Sequence, residues 1–282
     1  MQLGIFSRTY RPVEIGPVGI DRIFARIACD GYQAIQFNFS SAGLPSLPKD
    51  WPETTLKQVM GSANQSGLTI CALSGTYNMA HPDAGRRGSD RVGFANVVRA
   101  AQFMRVPLVT LCTGSRNASD MWSAHPDNES PEAWATLRDE LDFALDLAER
   151  HGVALGVEPE HGNVVANARI ARRLLDEVGK SQLKIVMDAA NLLPPQSQAR
   201  QREVVAEAVA LLGADLALVH TKDVGPDGKP VAAGRGVVDF HNFLKGILST
   251  GYRGPLVSHN FPQEDAAYVS GFLRRVLNEV MS

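Results

Sequence analysis

Residues 131–158 read PEAWATLRDELDFALDLAERHGVALGVE, and they divide at Gly152. Before the glycine, Trp134, Leu137, Leu141, Ala144, Leu145 and Ala148 recur three and four apart. That spacing lines one face of a helix with apolar side chains. Ser130 is a natural N-cap, Pro131 suits the first helical position, and Gly152 follows the last turn. After the glycine, VALGVE (153–158) is a short aliphatic run closed by an acid. A run of that length and composition reads as a strand buried on both faces.

The same unit recurs along the chain. Further runs are LGIFS (3–7), QAIQF (33–37), LTICALS (68–74), VPLVTLC (106–112), LKIVMD (183–188), LALVH (216–220) and PLVSH (255–259). Their starts fall about 30 to 45 residues apart, which leaves room for a crossover helix each time. Strict alternation predicts an all-parallel sheet, and eight repeats predict closure into a single (β/α)8 TIM barrel over residues 1–282. Two long segments, 38–54 and 113–130, follow strands and fall on the face where barrel active sites form; each reads as a lid or as surface decoration.

Composition narrows the function. Hydrophobic residues make up 44% of the chain, enough for a packed core. Lys and Arg number 28 against 30 Asp and Glu, so no basic surplus advertises nucleic acid or an anionic membrane. No apolar run is long enough to span a bilayer, and the N-terminal stretch is not a signal peptide. Cys29, Cys71 and Cys112 form no CxxC pair and read as buried thiols of a cytoplasmic protein.

In a barrel, the last residue of each strand faces the active-site mouth. The fifth to eighth runs end in Glu158, Asp188, His220 and His259. Ionisable groups that terminate apolar strands are costly to bury unless paired or coordinated. Carboxylates with imidazoles suit one divalent metal ion: Mn, Co, Mg, Zn or Fe.

These strand ends, with AERHGVALGVEPEHGN, LKIVMDAANLL, LALVHTKDVGPDG, GRGVVDFHNFL and GYRGPLVSHNF around them, resemble the xylose-isomerase-like superfamily of sugar and sugar-phosphate isomerases and epimerases. The resemblance implies that Glu158, Asp188 and His220 are metal ligands. It further implies that Glu158 removes a proton α to a carbonyl through a metal-stabilised enediolate. His259 stands where that family has Glu, and can serve as fourth ligand or second base. Gln36 stands where relatives often carry Glu. The substrate implied is a small carbohydrate, and barrels of this type are often homo-oligomers.

Other residues near the mouth bear on substrate binding. Asn191 and Lys222 are candidates to hold substrate oxygens, with a turn role and a surface ion pair as their alternatives. Asp223 reads as an orienting carboxylate. Arg235, between Gly234 and Gly236, suits a phosphate or carboxylate. His81 is a candidate sugar contact, and Arg8 could reach the same mouth. Glu160 reads as an exposed loop acid or a second carboxylate. Asp239 reads as a helix cap and His241 as an outward residue behind it. Trp134 reads as core, whereas Trp51 and Trp122 either stack on a sugar or pack their loops down.

Three function classes follow. The first is a metal-dependent isomerase or epimerase, with a lyase or dehydratase as the alternative sharing the same proton abstraction. The second, a DNA-repair endonuclease, lacks a basic groove and has Asn191 where a ligand His would be needed. The third is a non-catalytic sugar-binding barrel.

Overall fold

The computed structural model describes residues 1–11 and 19–282. Ser130 accepts a hydrogen bond from the Ala133 amide at 3.1 Å and opens a helix over Pro131–His151, which Gly152 ends at φ 63°. Asp83, Asn167 and Asp239 cap three other helices in the same way. Each side-chain oxygen satisfies an amide that the first turn leaves without a partner.

Among the described residues, eight barrel strands alternate with eight helices. The strands are β1 (Leu3–Phe6), β2 (Ala34–Phe37), β3 (Thr69–Ser74), β4 (Leu108–Cys112), β5 (Ala154–Glu158), β6 (Leu183–Asp188), β7 (Leu216–His220) and β8 (Leu256–Ser258). The helices are α1 (Gly19–Cys29), α2 (Glu53–Gln65), α3 (Ala84–Met104), α4 (Pro131–His151), α5 (Ala168–Val178), α6 (Gln201–Leu212), α7 (Phe240–Ser249) and α8 (Ala266–Met281). Every strand pairs in parallel with its chain neighbours, and β1 pairs with β8, so the sheet closes. A two-stranded ribbon, Asp223–Val224 with Pro230–Val231, stands in the segment after β7.

Alternation along the strands sorts the side chains. Ile185 and Met187 of β6 belong to the large core between sheet and helices, whereas Val186 packs with Ala72, Leu108, Leu218 and Val257 in a separate small cluster inside the barrel. Glycines let that interior close tightly: a Cβ on Gly156 would lie 2.8 Å from Val186. Residues two positions beyond the small cluster share its face. Asp188 follows Val186, His220 follows Leu218, and His259 follows Val257. Period-two alternation thus aims these polar strand ends into the barrel mouth.

Some expectations change. Cys29 is exposed and Cys71 half-buried; only Cys112 is buried. The apolar stripe of α1 runs through Ile20, Ile23, Phe24 and Ile27, and Cys29 lies off it. Trp134 sits at the core's rim, where its indole N–H donates to Glu177 at 2.9 Å and Arg173 covers its ring. Segment 38–54 is bound down onto α3: Trp51 donates to the Asn96 carbonyl, and Asn96 donates to the carbonyls of Pro48 and Lys49. No helix among the described residues is long and apolar enough to cross a membrane.

Candidate metal centre

Glu158, Asp188, His220 and His259 converge at the C-terminal ends of β5 to β8. All four are buried, and each offers one ligand atom within 4.8 Å of the others. Register brings them together: Asp188 pairs directly with His220 across β6 and β7, and Val257 pairs with His220 across β8 and β7, setting His259 just beyond. His220 Nδ1 lies 3.0 Å from Glu158 Oε1, and His259 Nε2 lies 3.1 Å from Asp188 Oδ2. The two imidazoles meet edge to face at 4.6 Å between ring centres.

This donor set fits a divalent ion. Two carboxylates and two imidazoles balance a double positive charge, and their mutual spacing suits one ion with bonds of about 2.0 to 2.2 Å. Burial alone would raise the Glu158 carboxyl. The positive charges of His220, His259 and Lys222 outweigh it and hold the group down at about 2, so Glu158 is ionised at neutral pH. Burial would lower His220, but Glu158 and Asp188 beside it raise it.

Around this core lies a second ring of contacts. Glu158 Oε1 also accepts from Asn191 Nδ2 at 2.7 Å, and Asn191 Oδ1 accepts from the Lys222 ammonium. Asn191 is thus a bridge between the cluster and a buried lysine, not merely a turn residue. Glu160 is buried, contrary to an exposed loop acid: it lies 3.7 Å from Lys222 Nζ and 3.0 Å from His161. Lys222 and His161 line a cleft of about 250 Å³ together with Ala190, Leu193, Pro195 and Val224. On the other side, Phe6 presents its ring edge-to-face to His259, and Arg8 covers Phe6.

Three candidates have other employment. Both His81 ring nitrogens are engaged: Nδ1 accepts from the Asp83 amide at 3.0 Å and Nε2 donates to the Ala118 carbonyl at 3.1 Å, tying the segment after β3 to 113–130. Arg235 is half exposed, pairs with Asp265 at 2.9 Å and lies over the Tyr268 ring. Asp223 is buried and orients neither a ring nor a lysine. It accepts from the amides of Val224, Gly234, Gly236 and Val238. A side chain at Gly236 would collide with the Asp223 carboxylate, which accounts for a glycine there.

Sequence reasoning passed over Cys112 and Thr110 and saw Gln36 only as a departure. Cys112 pairs in register with Glu158, its Sγ 3.8 Å from Oε2, and Gln36 touches His220. Alternation in β4 and β2, counted back from the strand ends, was the available signal.

Fold and cluster together define a class: (β/α)8 barrels with a mixed carboxylate–imidazole cluster at the C-terminal mouth. The chain belongs to the xylose isomerase-like TIM barrel family, whose model matches residues 24–276. Among solved structures it is similar to a D-tagatose 3-epimerase-like protein at 16% identity and a TM-score of 0.77, covering 99% of this chain and 98% of that one. A 3-keto-D-glucoside 4-epimerase from E. coli gives 17% and 0.75, covering 98% and 99%. A mannonate dehydratase from Streptococcus suis gives 14% and 0.73, covering 100% and 93%. At these identities the shared property is the fold. No curated protein matches the sequence.

Proposed function

We propose that this protein is a divalent-metal-dependent isomerase or epimerase of a small sugar-like carbonyl compound, working by proton abstraction α to the carbonyl. The observation that carries this reading is the buried convergence of Glu158, Asp188, His220 and His259 at the barrel mouth. Bound there, a divalent ion would supply a Lewis acid for the substrate's carbonyl oxygen and for the charge left when the α-proton departs.

The chain supplies the rest. Glu158 is ionised and serves as ligand and first proton acceptor. Asn191 holds its Oε1 and keeps the carboxylate oriented. Lys222 places a fixed positive charge in the cleft wall, joined to Glu158 through Asn191, and there meets a substrate oxygen. Burial would lower the lysine, but Glu160, Asp188 and Glu158 raise it, so it stays charged. His259 approaches from β8, three strands away from Glu158, and is the second candidate to carry a proton. His81, with both ring nitrogens engaged, and Arg235, paired with Asp265, are given no part in this scheme.

One observation favours a second reading. His259 replaces the glutamate that a two-glutamate epimerase would use, and an imidazole can instead protonate a leaving hydroxyl or aglycone. The same first proton removal would then lead to a lyase or dehydratase. Incubating the metal-loaded protein with candidate keto-sugars in D₂O separates them. Deuterium uptake with only an epimer or isomer formed supports the proposal. Loss of water or an aglycone supports the lyase. Binding without exchange of any carbon-bound proton leaves a sugar-binding barrel.

A further inference from the structure

We infer that Gln36 is a positioning residue for this centre: its side-chain carbonyl holds the Nε2–H of His220 and so turns Nδ1 toward the ion. The inference rests on the metal-centre reading above.

An imidazole offers a lone pair to a cation from one nitrogen, and the partner of the other nitrogen decides which. His220 Nδ1 faces Glu158 at 3.0 Å, inside the cluster. His220 Nε2 lies 2.7 Å from Gln36 Oε1. An amide oxygen can only accept, so Nε2 keeps its proton, and Nδ1, which shares its proton with Glu158, is the nitrogen left to bind the ion once that proton is displaced. The other end of the amide is engaged too: Gln36 Nε2 donates to Thr110 Oγ1 at 2.9 Å. Gln36, Thr110 and His220 are all buried, away from bulk solvent.

Backbone and charge agree with this assignment. The pairing of β2 with β3 slips in register between Ile35 and Gln36. Such an irregularity re-aims the side chain that follows it. Gln36 thereby reaches from β2 to a histidine on β7, three barrel positions away past β1 and β8. Two carboxylates and two imidazoles already neutralise a divalent ion. A glutamate at position 36 would orient the ring equally well but add an anion to a balanced site; glutamine orients without charging it.

The test uses the full-length protein and Zn²⁺. Wild type, Gln36→Leu and Gln36→Glu are titrated with Zn²⁺, and the histidine ring nitrogens are observed by ¹⁵N NMR in the loaded state. Gln36→Leu should weaken Zn²⁺ binding by roughly 10- to 100-fold, the usual cost of losing such a partner. Gln36→Glu should bind within a few-fold of wild type or more tightly, which shows that orientation rather than packing is lost in the leucine variant. His220 should carry its proton on Nε2 and bind Zn²⁺ through Nδ1. Coordination through Nε2, or a Gln36→Leu variant that binds as tightly as wild type, overturns this inference alone. A wild type that takes up no Zn²⁺ overturns the metal-centre reading and this inference with it.

Discussion

Nδ1 of His220 lies 3.0 Å from Oε1 of Glu158, although β6 stands between their strands. The contact therefore crosses the barrel's interior instead of running along the sheet. It unites two residues 62 positions apart in sequence, and the curvature of the sheet over β6 makes it. Burying a carboxylate and an imidazole side by side is tolerable because each offsets the other's charge.

Metal content is the first consequence. Wild-type protein should hold about one divalent ion per chain by elemental mass spectrometry, and Glu158→Ala and Asp188→Ala should hold almost none. Loss of either carboxylate leaves a divalent charge poorly balanced in a buried site. His259→Ala distinguishes two roles: retained metal assigns His259 to the substrate, and lost metal makes it a ligand. A wild type that stays metal-free after titration with Mn²⁺, Co²⁺ and Zn²⁺ would end the metal-centre reading.

Lys222→Met should leave metal content unchanged and cut substrate-dependent deuterium exchange by roughly 10²- to 10³-fold, the scale of losing one preorganised charge at a reacting oxygen. Methionine keeps most of the volume of the lysine stem, so the cleft wall shared with Ala190 and Val224 survives. Undiminished exchange would reduce Lys222 to a structural partner of Asn191 and Glu160.

The strand ends were legible because alternation ties each one to the interior residue two positions before it, as Asp188 to Val186, His220 to Leu218 and His259 to Val257. Glu158, Asp188, His220 and His259 needed nothing more. Glu160, Asn191 and His81 were not legible in the same way. Their environments depend on how three segments fold over one another, as when Asn163 donates to the Met121 carbonyl and Asn128 to that of Gly162. No local pattern encodes those meetings. The glycines flanking Arg235 have a use the pattern did not reveal, since their amides donate to the Asp223 carboxylate.

His161 yields a pH prediction. Its hydrogen bond to Glu160 raises it above its ordinary value, outweighing burial, which lowers it. A histidine raised in the folded state stabilises the fold fully below its unfolded value near 6.5, and loses that contribution as pH rises through the folded value. The ring is nearly half exposed, so solvent screens the energy and the effect on stability is small. The direct measurement is an NMR titration of the ring. Its midpoint should lie above about 6.5 and fall in Glu160→Gln; a midpoint at or below that value, unmoved by the substitution, would sink the assignment.

A different buried acid, Glu140 on α4, shows how the outer shell supports the mouth. It accepts from the Tyr77 hydroxyl at 2.9 Å, from Arg87 Nε at 2.9 Å, and from Arg91 Nε and Nη2 at 2.9 and 3.0 Å. Arg87 in turn donates to the His81 carbonyl, and the His81 ring holds the Ala118 carbonyl of segment 113–130. One carboxylate thus ties α3 and α4 to the segments after β3 and β4. Glu140→Ala removes the shared acceptor and leaves the buried Tyr77 hydroxyl and two arginines to find others. Charged hydrogen bonds and broken buried pairs of this kind cost about 2 to 4 kcal/mol, to be read as a lower urea midpoint at unchanged slope. Glu140→Gln keeps an acceptor and should lose less. Metal stoichiometry should stay at the wild-type value in both variants, because none of the four cluster residues touches Glu140. Loss of metal in Glu140→Ala under conditions where it remains folded would mean that the outer shell and the cluster are coupled more tightly than these contacts require.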